Sequence, residues 1–290
     1  MNNLRQVTMT TNSNIQKFRK ELRTIAKANR VELLGILNAT PDSFYDGGEN
    51  FAPAKAITTG LQMIRDGAFI IDIGGQSSRP GAHTISHEEE WSRVEPVISG
   101  ILQENPNAFI SIDTYRSEVA RKAIKAGAVL VNDISAGSID SNMFNTVAEL
   151  NAPYVLMHML GTPENMQNNP NYSDVVEDVK KFFRYKLNTL KQLGVEDVII
   201  DPGFGFGKTL EHNYKLLRRL EEFEEFGAPI LSGVSRKSMI YKALNCSPND
   251  ALNGTTALNM ISVNNGACLL RVHDIAEAKE VSILHNNLCK

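Results

Sequence analysis

Residues 109–133 read FISIDTYRSEVARKAIKAGAVLVND, and this stretch decides the fold class. It opens on an apolar run, Phe109–Ile112, that stops at Asp113. A helical stretch follows and should end at Gly127, because glycine alone adopts the left-handed conformation of a helix terminus without penalty. A second apolar run, Val129–Val131, then stops at Asn132 and Asp133. Both runs are near-continuously apolar, as strands buried on both faces must be. The pattern is one βα unit feeding the next strand, with a polar group at the end of each strand.

The same unit recurs on both sides. The further runs are Leu33–Leu37, Phe69–Ile73, Tyr154–Met157, Val198–Ile200, Ile230–Val234 and Cys268–Val272, which brings the total to eight. Helix signals lie between them. Ser86 with Glu89 has the spacing of a capping box, and so has Asp174 with Glu177. Gly67, Gly194, Gly227 and Gly266 stand where other helices should stop. No Pro/Gly/Ser-rich linker divides the chain, and its 290 residues suit a single α/β barrel of about 250 residues plus a short extension. Eight uninterrupted βα units predict a closed parallel (β/α)8 TIM barrel over 32–290, preceded by a helical extension over 1–31. The competing open doubly wound sheet lacks its GxGxxG after the first strand.

Bulk properties narrow the function. Thirty basic and 33 acidic residues give a net charge of −3, which argues against a nucleic-acid partner. Cys246, Cys268 and Cys289 form no CxxC pair and are odd in number, which fits a reducing cytoplasm and neither a disulfide framework nor a zinc site. No apolar run approaches the roughly 18 residues of a membrane span. The first thirty residues carry seven basic groups and one acid, Glu21, with Ile15, Phe18, Leu22 and Ile25 at helical spacing. They read as a surface helix packed on the barrel, with an organelle presequence as the alternative.

The strand ends carry the chemistry. In order they present Asn38; Asp72 leading into Gly74–Gly81; Asp113; Asn132 and Asp133; His158; Asp201; Ser235-Arg236-Lys237-Ser238; and Arg271, His273 and Asp274. In a barrel these ends converge on one face, with the phosphate-binding sector at the seventh and eighth strands. Any one of them alone has a simpler reading as a turn, cap or solvated residue. A polar or charged group at the same end of all eight strands does not. Asp201–Lys208 (DPGFGFGK) allows tight turns and close approach to a flat ligand, without Walker A spacing. The long first loop, with Gly47-Gly48 as a hinge, suits a lid.

These segments together resemble the dihydropteroate synthase family. Gly35–Phe44 with Asp46-Gly47-Gly48 is similar to its first loop, and Asp72–Ala82 to its second. Asp113–Arg116, Asn132-Asp133, His158–Pro163, Asp201–Thr209, Ser235–Ser238 and Arg271–Asp274 follow in order, so that the resemblance covers about residues 33–280. Two positions depart from the usual pattern. The second loop has Gln76-Ser77-Ser78 where Glu-Ser-Thr is commoner, and Ala39 stands in place of a valine.

The resemblance implies condensation of 6-hydroxymethyl-7,8-dihydropterin diphosphate with para-aminobenzoate, a folate-synthesis step blocked by sulfonamides. Asp113, Asn132, Asp201 and Lys237 would bind the pterin, with Phe206 over the ring and Ser78, Arg271, Val272 and His273 toward the diphosphate. Asn38 would ligate Mg²⁺. Phe44, Ser78, Arg79, Pro80, Lys237 and Ser238 would line the aminobenzoate pocket. Lys237, Arg271, His273, Asp201 and Arg79 would carry catalysis by an SN1-like route, with preorganised positive charge as its largest contribution. The family suggests a homodimer. Three rival readings remain at this stage: a corrinoid-type pterin methyltransferase barrel, a Schiff-base aldolase using Lys237, and a non-catalytic pterin binder.

Overall fold

The computed structural model describes residues 2–28, 30–40, 53–77 and 84–289, the first eleven of these by backbone alone. Helix α1 (Asn2–Ala28) leads into β1 (Glu32–Asn38). Helix α2 (Pro53–Asp66), β2 (Ile70–Gly74), α3 (His87–Glu104), β3 (Phe109–Asp113), α4 (Ser117–Ala126) and β4 (Leu130–Asp133) follow. The second half runs α5 (Met143–Leu150), β5 (Tyr154–Met157), α6 (Val175–Gln192), β6 (Val198–Asp201), α7 (Leu210–Arg218), β7 (Leu231–Ser232), α8 (Ser238–Tyr241), α9 (Leu252–Asn264), β8 (Leu269–Val272) and α10 (Ile275–Leu288).

All eight strands are parallel, in the order β6-β5-β4-β3-β2-β1-β8-β7. The remaining gap, between β6 and β7, is joined by a single bridge from Ile200 to Ile230. The result is a (β/α)8 barrel closed at that seam by the least possible pairing. Every residue of β2, β4, β5 and β6 is buried, which is why these strands read as unbroken apolar runs.

The helix ends follow from local chemistry. Ser86 accepts from the Glu89 N–H, but Glu89 does not reciprocate; its carboxylate turns to Arg93 four residues on. Asp174 caps α6 through the N–H groups of Val176 and Glu177. Gly127 closes α4 at φ 116°, a conformation that a side chain would oppose.

Helix α1 lies across the end of the barrel where the strands begin. Its Ile15, Phe18, Leu22 and Ile25 are buried. The Phe18 ring sits 5.3 Å from Phe109 and 6.2 Å from Phe69, and both of those residues open strands or lie just ahead of them. Arg19 pairs with Asp197, just ahead of β6, at 2.8 Å, and donates to the Asn151 carbonyl ahead of β5 at 2.8 Å. The opposite end, where the strands finish, is the mouth of the barrel.

Candidate active site

Register places the ends of the early strands side by side. Asn38 of β1 stands beside Gly74 of β2, Gly74 beside Asp113 of β3, and Asp113 beside Asn132 of β4. Below this rim, Asp72 is enclosed in β2. Its Oδ2 accepts from the Asn132 amide nitrogen at 2.8 Å and from Arg271 Nε at 2.7 Å. Arg271 reaches across from β8, and its Nη2 donates to Asp113 Oδ2 at 2.5 Å. One guanidinium thus ties together two carboxylates that come from different strands.

The β6 and β7 loops supply the facing wall. Asp201 Oδ1 accepts from the Gly203 N–H at 2.7 Å, which curls the glycine-rich loop back over the strand end. A Cβ on Gly233, just past β7, would stand 3.6 Å from Lys237 Nζ, 3.7 Å from Arg271 Cβ and 3.9 Å from Asp201 Oδ2. These three side chains therefore converge on the space that glycine leaves open. Lys237 donates to the Phe204 carbonyl at 2.6 Å and lies 4.7 Å from the Phe206 ring centroid. Phe204 is wholly buried and Phe206 only partly, so the second of the two loop aromatics is the one available to a ligand.

Two other strand-end residues do not join this convergence. His158 is buried, and its Nδ1 lies 2.9 Å from the ammonium of Lys208. Lys208 also donates to the carbonyls of Gly203 and Phe206, at 2.9 and 3.0 Å, and so anchors the glycine-rich loop from beneath. Asp133 is consumed by the turn that follows it, accepting from Ser135 and Gly137 and from the Tyr154 hydroxyl. Both residues support the mouth from below and do not line it.

At the eighth strand, the Ser235 hydroxyl accepts from the His273 N–H at 3.2 Å and lies 3.1 Å from its Nδ1, while the residue itself stands exposed at the mouth. Arg236 turns away and forms two 2.8 Å bonds to Asp274. Its neighbour Ser238 opens α8, partly buried. The Val272 side chain belongs to the core, so this position can offer a ligand only its backbone. Phe44, Ser78, Arg79, Pro80 and the glycine hinge of the first loop lie outside the described residues.

Burial without solvent shifts most of these groups. It pushes Asp113 up to about 7 against the pull of Arg271, and it raises Asp201 against the pull of Lys237. Lys237 falls to about 8 for the same reason, with Asp201 holding it from falling further. Burial also lowers Arg271, but Asp72 and Asp113 more than reverse this and hold it firmly cationic. Partial desolvation of its ring by the surrounding walls, then the charge of Arg271, holds His273 below its usual range although the residue as a whole is exposed. His273 is therefore a neutral hydrogen-bonding group at neutral pH.

Three residues of the site had no role in the sequence reading. Asp72 carried a signal, an acid inside the otherwise apolar run Ile70–Ile73. Ser235 and Lys208 stood within stretches the sequence singled out, but their partners lie 38 and 50 residues away in the chain, so their own roles were not legible. Among the described residues no group of three or more His, Cys, Asp or Glu side chains could hold a metal ion. The amide of Asn38, partly exposed at the end of β1, offers the mouth a hard-oxygen donor.

A carboxylate, an ammonium and an arginine around one glycine-cleared space, with a second carboxylate tied to the same arginine and an amide beside it in register, suit a flat, nitrogen-rich heterocycle. Residues 34–273 match the family model described as pterin binding enzyme. A dihydropteroate synthase of Escherichia coli is 46% identical over 250 residues, covering 86% of this chain and 88% of that one. The structure of the Yersinia pestis dihydropteroate synthase, solved with a sulfonamide drug, superposes with a TM-score of 0.85 at 39% identity and covers 90% of this chain and 94% of that one. The Xanthomonas albilineans enzyme, solved with 4-aminobenzoic acid, gives 0.84 at 38% identity, covering 90% and 93%. The chain belongs to the pterin binding enzymes and, within them, to the dihydropteroate synthases, transferases of folate synthesis.

Proposed function

We propose that this site joins 6-hydroxymethyl-7,8-dihydropterin diphosphate to para-aminobenzoate, releasing diphosphate and 7,8-dihydropteroate. The observation that carries the reading is the convergence of Asp201, Lys237 and Arg271 on the space at Gly233, next to the Asp113–Asn132 pair. Asp113 and Asp201 accept from the amino and ring N–H groups of the pterin, Asn132 binds the same edge, and Lys237 donates to a ring acceptor. Phe206 covers the ring. Val272 and His273 lie toward the diphosphate, with the neutral imidazole as a donor and Arg271 as the fixed positive charge. Ser238, together with Phe44, Ser78, Arg79 and Pro80 outside the described residues, is assigned to the aminobenzoate by the family resemblance.

Positive charge held at the leaving group lets the exocyclic C–O bond break before the amine attacks, so no nucleophilic side chain is needed. The amide oxygen of Asn38 fits Mg²⁺, a hard cation that takes few protein ligands. Bound there with the diphosphate oxygens, Mg²⁺ would neutralise part of the leaving charge. Chelation should stop turnover and leave the melting temperature of the free protein unchanged; a large drop would mean a structural ion. The decisive assay follows diphosphate and dihydropteroate together. Both should appear only when para-aminobenzoate and pterin diphosphate are present. Pterin binding without turnover would instead mark a binding protein.

Residues 1–31 are proposed as an integral floor of the barrel domain at 32–290. Three free thiols fit work in the reducing cytoplasm. A homodimer is proposed through the outer face of α9 and α10, where Ile261, Ile283, Leu284 and Leu288 are exposed together with nearby Leu244. Sedimentation should give twice the chain mass, and Leu284→Glu should return a monomer.

A further inference from the structure

Asp72 touches no ligand in the reading above, yet two ligand-facing side chains hang from one of its oxygens. Oδ2 takes the Asn132 amide nitrogen at 2.8 Å and Arg271 Nε at 2.7 Å. The other oxygen, Oδ1, is buried with no hydrogen-bond partner among the described residues. A carboxylate oxygen can only accept from an amide, so this contact dictates which way round the Asn132 amide stands. With its NH₂ committed downward to Asp72, Asn132 turns its Oδ1 away, and no described donor reaches that oxygen. Asn132 neighbours Asp113 in register, so the edge they form together presents acceptors from both residues.

We propose that Asp72 is a positioning residue that sets the polarity of the pterin subsite. By holding the nitrogen end of Asn132, it makes that amide an acceptor and so selects a ring bearing an amino donor over the same ring bearing a carbonyl. Its bond to Arg271 Nε fixes the guanidinium in the plane from which Nη2 meets Asp113. This rests on the pterin reading of the site and adds the residue that enforces its donor–acceptor sense. An amide free to turn over would present NH₂ to the ligand, and an opposed pair of donors in a buried site is strongly disfavoured.

The test is calorimetric binding of 6-hydroxymethylpterin and of its counterpart with a carbonyl in place of the 2-amino group. The wild-type chain should prefer the amino ring strongly. Asp72→Asn frees Asn132 to turn over, so affinity for the amino ring should fall by about ten- to a hundredfold and the preference between the rings should collapse. Exchanging the pair, Asp72→Asn with Asn132→Asp, keeps the bond with its two ends interchanged and again offers an oxygen to the ligand. The amino preference should return. A folded Asp72→Asn protein with wild-type preference overturns the proposal, and so does an equal loss for both rings, which is what a merely structural role would give. Should Asp72→Asn fail to fold, the exchanged pair decides: folded without amino preference, it overturns the proposal. A wild-type chain that binds both rings equally also overturns it. A wild-type chain that binds neither removes the pterin reading itself.

Discussion

Where the strands begin, Phe18 packs on Phe69 and Phe109 while Arg19 and Arg23 both meet Asp197. Where they finish, Asp113, Asp201 and Lys237 are shifted by burial toward their neutral forms, and one oxygen of Asp72 has no partner among the described residues. The two ends use the same scaffold for opposite purposes. Apolar and ion-paired contact at the floor stabilises the fold. Charge desolvated at the mouth opposes folding and is relieved by a ligand that supplies the missing partners. Changes at the floor should therefore alter stability with little effect on chemistry, and changes at the mouth should do the reverse.

The largest expected effect is at the floor. Phe18→Ala should destabilise the protein by about 3–5 kcal/mol in urea unfolding and leave turnover per folded molecule unchanged. A loss below about 1 kcal/mol would make α1 an appendage and not a floor. Next comes the mouth. Asp201→Ala should lower pterin affinity by roughly a hundredfold, because the ring donors lose a buried acceptor, while the melting temperature stays close to that of the parent chain. A melting temperature that falls as far as that of Phe18→Ala would erase the contrast.

The pH profile sharpens it further. Ionised Asp113 is the stronger acceptor, so affinity should fall as pH drops below about 7; protonated Lys237 is the stronger donor, so affinity should fall again above about 8. Each limb should approach tenfold per pH unit, and the two apparent values describe the coupled site as a whole. Equal pterin affinity from about pH 6 to about pH 9 would contradict it. The smallest effect separates two arginines that share one carboxylate. Arg19 is largely enclosed, whereas the Arg23 side chain is 62% exposed. Arg23→Ala should change unfolding free energy by less than about 0.5 kcal/mol, and Arg19→Ala by more.

The sequence carried most of the fold because eight buried strands leave continuous apolar runs and their helices end on glycines such as Gly127. It carried the site only by position. Asp113, Asn132, Asp201, Lys237 and Arg271 converge as their strand ends implied. Yet His158 and Asp133 have the same sequence context and turn inward, to Lys208 and to Tyr154. Whether a strand-end side chain faces the mouth or the layer below depends on residues tens of positions away. No local pattern encodes that.

The seam between β6 and β7 has a mechanical consequence. Besides the Ile200–Ile230 bridge, the bond from Lys237 to the Phe204 carbonyl crosses it near the mouth. Asp201 ends one of these strands and Lys237 follows the other. A ring gripped by both side chains would straddle the gap as a removable rivet, closing a cylinder that its own backbone leaves almost unlatched. Amide hydrogens at Ile200 and Leu231 should then exchange more slowly with pterin bound, while those of β3 and β4, already sewn into the sheet on both sides, should barely respond.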